Sequence, residues 1–220
     1  PAHTVGVVEL HPDRASALEQ HPAHRRLRLQ RQVPPVTHRF EVGVGATPAS
    51  RTRTPTLRLE RRCLGAGERV VVGIDEVGRG AWAGPVTVAA LVPPPDHLRG
   101  VRDSKELTRE EREVVAARVR GWAVAIGVGH ASYEECDAFG MTAALRAAGR
   151  RALAQLAALG YEPDRIILDG NHDYLALGAR VTTVIRGDST SLSVAAASCV
   201  AKVTRDALMR GEAEHYPAYD

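Results

Sequence analysis

The chain has 220 residues, of which 44% are hydrophobic and 25% are charged, values typical of a soluble globular protein. This composition excludes a mostly disordered or fibrous chain. No apolar run approaches the ~18 residues that a membrane-spanning helix needs, so we expect no membrane contact. The three cysteines lack the spacing of a metal site. We expect them to be reduced thiols of a cytoplasmic protein.

The net charge of +3 conceals an asymmetry between the two parts of the chain. Residues 1–65 carry a formal charge of +6, whereas residues 66–220 carry −3. Residues 1–55 also contain seven prolines, and few long elements fit between them. We therefore predict a poorly ordered, Arg- and Pro-rich extension over 1–55, followed by one catalytic domain over 56–220.

From about Thr56 onwards, short apolar runs alternate with helical patterns. Apolar runs predict five strands, at residues 70–74, 86–92, 123–129, 166–169 and 181–185. Three helices are predicted at residues 108–120, 142–159 and 191–209. The first begins with a capping box, Thr108 and Glu111, and the last has an apolar stripe of Val194, Ala197, Ala201 and Leu208. Strands and helices in this order predict an α/β layer architecture.

Carboxylates follow two of the predicted buried strands. Asp75 and Glu76 come directly after Ile74, and Asp169 comes directly after Leu168. A carboxylate on an apolar strand is costly unless it is paired, hydrogen-bonded or bound to a metal ion. If the two strands are neighbours, Asp75 and Asp169 face one another, and a divalent cation would relieve their repulsion. Oxygen ligands favour Mg²⁺ or Mn²⁺ over zinc.

Two further features lie beside these acids in the predicted arrangement. Asp188 lies between the fifth strand and the last helix, where capping of that helix is the alternative interpretation. A turn, Gly78-Arg79-Gly80, follows Glu76 directly. By itself this Gly-Arg-Gly sequence would indicate an ordinary turn. Because it directly follows candidate metal ligands, we interpret it as a clamp for a sugar–phosphate backbone. Its amides could contact a hydroxyl while Arg79 neutralises a phosphate.

The motifs together resemble those of the bacterial ribonuclease HII family, and the resemblance runs from about Thr56 to Asp220. Residues 72–80 with Ala83-Gly84-Pro85-Val86 resemble the opening signature of the family, and residues 103–107 its Asp-Ser-Lys motif. Residues 168–171 resemble the strand of its third acid. Residues 187–189, 195–198 and 201–206 resemble its closing helix. The only two lysines of the chain, Lys105 and Lys202, fall inside these motifs.

This resemblance implies an RNase H-like fold, with a mixed five-stranded sheet flanked by helices. It implies an endonuclease that hydrolyses the RNA strand of RNA–DNA hybrids, cuts 5′ of single ribonucleotides embedded in duplex DNA, and leaves 5′-phosphomonoesters. Two Mg²⁺ or Mn²⁺ ions would be bound by the catalytic acids Asp75, Glu76, Asp169 and Asp188. The 2′-hydroxyl would be read by Gly78, Arg79 and Gly80. Phosphate contacts would come from Ser104, Lys105, Ser189 and Lys202, although Ser189 could instead cap its helix.

The chain departs from the family pattern at both ends. At the N-terminal end, residues 1–55 match nothing in that pattern. Members continue past the position of Tyr219 into a Lys-Gly-Tyr segment, whose tyrosine helps to hold the nucleotide, and a final helix. This sequence stops at Asp220, so we expect a domain truncated at its C-terminus. We also expect the protein to be a monomer. The alternative is a truncated module that binds hybrid duplex but cuts poorly. A related nuclease with other substrates is a third possibility, against which the Gly-Arg-Gly turn argues.

Overall fold

The computed structural model describes residues 9–10, 54–81 and 83–216 of the chain. The strands are β1 (Glu9–Leu10), β2 (Val71–Val77), β3 (Val86–Val92), β4 (Ala125–Ala131), β5 (Arg165–Asp169) and β6 (Val181–Val184). The α-helices are α1 (Arg58–Gly65), α2 (Arg109–Trp122), α3 (Tyr133–Phe139), α4 (Met141–Ala158) and α5 (Leu192–His215). Short 3₁₀ turns lie at Ser104–Glu106, Gly178–Arg180 and Gly187–Ser189.

The strands form one mixed sheet in the order β1-β4-β3-β2-β5-β6. Strands β2, β3 and β4 form an antiparallel meander, whereas β5 and β6 run parallel to β2. The predicted five-stranded mixed sheet is therefore confirmed, and the two-residue β1 extends its edge beside β4. Apart from β1, the extension predicted over residues 1–55 lies outside the described residues up to residue 53, so its predicted disorder stays a prediction.

Helices cover both faces of the sheet, and the alternation of residues along β3 shows how. Val88, Ala90 and Val92 are buried against one set of residues that includes the apolar face of α4. Ala89 and Leu91 point the other way, into a core shared with α2 and α5. A strand buried on both faces appears in the sequence as a continuous apolar run, and β3 has the predicted bounds.

Two short helices were not predicted, and one long helix extends past its predicted end. Helix α3 begins with a capping box between Ser132 and Glu135, but its seven residues are too few for a visible apolar period. Helix α1 is similarly short. Helix α5 continues to His215, and Leu208 is 40% exposed. The predicted apolar stripe was therefore wrong at Leu208, although Val194, Ala197 and Ala201 are buried.

Two expectations from the sequence concern the cysteines and membrane-spanning helices. Cys63, Cys136 and Cys199 are all free thiols, as expected. Within the described residues, no helix is both long enough and apolar enough to cross a membrane.

Helix α5 lies directly on β2 at Gly73. A Cβ atom added at Gly73 would collide with both the backbone and the side chain of Ser193, in the first turn of α5. The absence of a side chain at Gly73 thus sets how closely the helix approaches the strand. This contact lies two residues before Asp75 along β2.

We expect Gly73→Ala to destabilise the protein by about 1–3 kcal/mol, because the added methyl group must displace α5 from β2. Thermal and urea denaturation would measure the loss. The control is Gly211→Ala, at a helical site where an added Cβ meets nothing within 4 Å; it should gain roughly 0.5–1 kcal/mol from helix propensity. Equal stability of Gly73→Ala and the wild type would contradict the close approach.

Candidate active site

Three acids meet near the ends of β2 and β5. Strand β2 continues to Val77, so Asp75 and Glu76 lie within it, and the prediction that the strand ends at residue 74 was wrong. Ile74 of β2 pairs in register with Leu168 of β5, so the next residues, Asp75 and Asp169, are neighbours across the parallel pair. Asp188 joins them from the turn that follows β6. One carboxylate oxygen of each acid lies within 4.8 Å of the others. The predicted meeting of the three acids is therefore what the structure has.

The turn that carries Asp188 is fixed against Asp169. The backbone N–H of Gly187 donates a hydrogen bond of 2.7 Å to Asp169 Oδ1, and Arg186 has a left-handed backbone with φ 55°. Helix α5 is capped by Ser191, whose hydroxyl accepts from the backbone N–H of Val194. The alternative interpretations of Asp188 or Ser189 as the helix cap were therefore wrong. The carboxylate of Asp188 turns towards the other acids instead.

Glu60 fixes the start of α5 and was missed in the sequence. Its side chain is 1% exposed. One carboxylate oxygen accepts from the Ser191 hydroxyl at 2.6 Å, the Ser193 N–H at 2.9 Å and the Ser193 hydroxyl at 2.7 Å. A carboxylate at a helix N-terminus also interacts favourably with the helix dipole. Helix α1 thereby holds the beginning of α5, directly after the turn of Asp188.

Burial and the charges of neighbouring carboxylates raise the pKa values of Asp75, Glu76 and Asp188. Burial, followed by the charges of Asp169 and Glu76, raises the pKa of Asp75 well above its usual value. Burial and the charge of Asp169 likewise raise the pKa of Glu76, against the opposing effect of Arg79. The pKa of Asp188 is raised to about 6, mainly by burial and by Asp169. The protein alone therefore disfavours the fully ionised cluster.

These residues fit a divalent cation. The donor set consists of oxygens, as Mg²⁺ and Mn²⁺ require. Glu76 Oε2 is buried and has no hydrogen-bond partner, and an unpaired buried carboxylate oxygen is costly. A cation among the three clustered acids would offset the repulsion between their charges.

The Gly78-Arg79-Gly80 turn lies beside this cluster, as predicted. Gly78 has φ +98°, in the left-handed region that favours glycine. Arg79 Nη1 is 3.7 Å from Glu76 Oε1, while 61% of the Arg79 side chain remains exposed. A Cβ added at Gly80 would meet nothing within 4 Å, so the backbone there is open to a ligand.

Two of the predicted phosphate contacts lie at the acids. Lys105 Nζ is 3.8 Å from Asp188 Oδ2, and 83% of its side chain is exposed. The Ser189 hydroxyl donates to Asp188 Oδ1 at 3.4 Å. Both groups therefore belong to the wall of the candidate site.

The other two predicted contacts are already engaged within the protein. Ser104 is 6% exposed, and its hydroxyl is 2.9 Å from that of Ser198. Ser198 in turn hydrogen-bonds to Asp75, which lowers the pKa of that acid against the larger effect of burial. Lys202 Nζ pairs with Asp206 at 2.6 Å. Phosphate contact by Ser104 and Lys202 stays a prediction.

Tyr174 is a second residue missed in the sequence. It is 2% exposed, and its hydroxyl forms no hydrogen bond of ordinary length but interacts with the carboxylate of Glu76. Burial and the charges of Glu76 and Asp75 raise its pKa well above the usual value. No motif pointed to it, because a tyrosine in a loop after β5 carries no chemical pattern of its own.

We expect Asp75→Asn to stabilise the metal-free protein. Because the pKa of Asp75 is raised, the contribution of this group to stability is fully present below about pH 4 and is lost as the pH rises through the folded-state pKa. The amide of the asparagine variant cannot ionise and therefore avoids this loss. In a chelator at pH 8 the variant should melt roughly 2–4 °C higher, the effect of ~1 kcal/mol in a chain of this size. Calorimetry at pH 8 and pH 4 would measure it, with exposed Glu162→Gln as the control. A gain that persists at pH 4 would contradict the electrostatic explanation.

Metal affinity should fall as the pH is lowered. A bound divalent ion requires ionised carboxylates, and the pKa of Asp188 is about 6. We therefore expect the Mn²⁺ affinity to fall by at least about tenfold for each pH unit below 6, because at least the proton of Asp188 competes with the ion. Isothermal titration between pH 8 and pH 5 would measure it. An affinity that is constant over this range would show that these acids do not bind the ion.

Comparison with known proteins gives a consistent family. The family model described as Ribonuclease HII matches residues 72–219. A relative named Ribonuclease HII, from Streptomyces avermitilis, is 52% identical over 160 residues; the match covers 70% of this chain and 66%, just under two thirds, of that relative.

Solved structures resemble the fold as well. Ribonuclease H2 from Pyrococcus horikoshii has a TM-score of 0.56 and 27% identity, covering 67% of this chain and 77% of that chain. A Bst-RNase HIII in complex with Mn²⁺ has a TM-score of 0.57 and 25% identity, covering 66% of this chain and 55% of that chain. With a family model that matches more than half of its length, and with the acids and turn in the places that its motifs predict, the chain belongs to the ribonuclease HII family.

Proposed function

We propose that this chain is an endoribonuclease that hydrolyses the RNA strand of RNA–DNA hybrids and cuts 5′ of ribonucleotides embedded in duplex DNA. The single observation that carries this proposal is the clustering of Asp75, Asp169 and Asp188 within 4.8 Å. The glycine turn beside the cluster supports the choice of a ribonucleotide substrate. Membership of the ribonuclease HII family supports the same reaction.

Asp75, Glu76, Asp169 and Asp188 would hold the divalent ions. Mg²⁺ or Mn²⁺ bound there would supply activation of the attacking water and charge stabilisation at the leaving 3′ oxygen, in a two-metal mechanism that leaves a 5′-phosphate. Asp169 is oriented for this by the Gly187 N–H, at 2.7 Å. A neighbouring fold, Bst-RNase HIII, is described in complex with Mn²⁺, which supports this class of ion.

The protein groups around the acids would select and orient the substrate. The backbone of Gly80 can approach a ribose closely, because the residue has no side chain and the space where one would lie is open. An N–H of the Gly78–Gly80 turn can recognise the 2′-hydroxyl that distinguishes RNA from DNA. Arg79 and Lys105 extend into solvent from positions beside Glu76 and Asp188. Their charges would bind the phosphates on either side of the ribonucleotide.

The partners that follow from this chemistry are nucleic acids. The substrates would be RNA–DNA hybrid and duplex DNA with embedded ribonucleotides, each bound by a monomer of the chain. We also place the protein in the cytoplasm, because its three cysteines are free thiols and free thiols persist in reducing compartments.

The test is cleavage of a DNA duplex that contains one ribonucleotide, in Mg²⁺ or Mn²⁺. We expect a single cut 5′ of the ribonucleotide. Asp75→Asn should reduce the rate by at least about 100-fold, since even residues that only support a metal ligand typically contribute 10–100-fold. Exposed Glu162→Gln is the matched control and should cut at the wild-type rate.

Two outcomes would overturn parts of the proposal. Undiminished cutting by Asp75→Asn would show that Asp75 has no catalytic role. Tight binding of the duplex by the wild-type chain without any cutting would favour the alternative of a hybrid-binding module.

A further inference from the structure

A buried arginine lies directly behind the Gly78–Gly80 turn. Arg205 is 8% exposed, although it lies in the second half of a long helix whose neighbouring positions reach solvent. Its Nε donates to the Pro85 carbonyl at 2.8 Å, and its Nη2 donates to the Ala83 carbonyl at 2.7 Å. The guanidinium thus binds two carbonyls of the short segment that follows the turn.

The same guanidinium is packed against the first residue of the turn. A Cβ added at Gly78 would lie 2.7 Å from Arg205 Nε and 2.8 Å from the Pro85 carbonyl oxygen. A Cβ added at Gly84 would collide with Met209, one helical turn beyond Arg205. The hydrogen bonds of Arg205 therefore determine where the backbone of Gly78 can lie. Residues 83–85 and Gly78 are held together by one side chain of α5.

Burial of the Arg205 guanidinium is unfavourable in free energy, and its packing contacts alone do not explain why it is buried. A buried guanidinium loses its hydration, and it regains that free energy only in part from neutral carbonyl partners. Among the described residues, no carboxylate forms an ion pair with it, whereas Lys202 and Arg210 on the same helix pair with Asp206 and Glu113. A planar group with several donors in fixed directions is suited to holding two carbonyls at once. A lysine would keep the charge and lose that geometry.

We propose that Arg205 is a positioning residue for recognition of the ribonucleotide: it holds the Gly78–Gly80 turn at the position from which its backbone contacts the 2′-hydroxyl. The proposal rests on the proposed function of that turn. It predicts that substitution of Arg205 will affect discrimination between ribose and deoxyribose more than it affects general binding of duplex DNA.

The experiment measures binding on an Asp75→Asn background in Mn²⁺, so that the duplex stays intact. Dissociation constants are compared for a duplex with one ribonucleotide and for the same duplex made only of DNA. Arg205→Lys should reduce this ratio of affinities by at least about tenfold, because small displacements of a positioning group have large effects. Arg210→Lys, on the same helix and half-exposed, is the control and should keep the ratio.

Each other outcome counts against the proposal. An unchanged ratio in folded Arg205→Lys would overturn it, and so would an equal loss of affinity for both duplexes, which indicates only charge or stability. Circular dichroism establishes folding; if Arg205→Lys does not fold, Arg205→Gln, which keeps an N–H donor, is judged by the same ratio. A parent protein that does not distinguish the duplexes would overturn the role of the turn and of Arg205 together.

Failure of this proposal is distinguishable from failure of the proposed cleavage. Cutting by the wild-type chain with no effect of Arg205→Lys on the affinity ratio would refute only the role of Arg205. Discrimination in binding that is lost in Arg205→Lys, together with no cutting by the wild type, would refute only the nuclease activity.

Discussion

The parallel pairing of β2 with β5 is the constraint on which the rest of the site depends. Because Ile74 and Leu168 are in register, the next residue of each strand is an aspartate at the same edge of the sheet. Hydrogen bonds of the ladder hold the two carboxylates together although their charges repel. Burial of the apolar residues that precede the acids supplies the free energy that offsets this repulsion. The packed sheet thus keeps a charge cluster that would separate in a flexible chain.

Helix α5 positions the groups around the acids. Residues spaced by three or four positions share one helical face, and this face carries in turn Val194, Ser198, Arg205 and Met209. Ser198 hydrogen-bonds to Asp75, whereas Arg205 and Met209 contact the segments around the glycine turn. Since Glu60 anchors the start of the helix and Gly73 sets its distance from β2, one element positions both halves of the site.

The sequence predicted the parts of this arrangement that depend on local pattern. The strands β2 to β6 are visible as apolar runs, although β6 is only partly buried, and Asp75, Asp169 and Asp188 are visible because carboxylates are unusual next to such runs. Glu60, Tyr174 and the partners of Arg205 were not predictable in this way. Their roles depend on contacts between residues far apart in the chain, such as Glu60 with Ser193. The sequence left Asp188 and Ser189 as alternative caps of α5, because Asp188, Ser189 and Ser191 are all good caps, and only the fold selects Ser191.

The proposed affinity for nucleic acid cannot arise from the overall charge of residues 66–220. Residues 66–220 carry a formal charge of −3, so a polyanion approaches this part of the chain only where cations are concentrated. Lys105 and Arg79 are two groups placed for this: Lys105 lies 3.8 Å from Asp188, and Arg79 lies 3.7 Å from Glu76. While they offset the acids, their charges are only partly available to phosphate. A divalent ion among the acids would offset their charges instead and leave the two side chains free to contact the proposed substrate. Ion binding and binding of the proposed substrate would then favour each other through the same few charges.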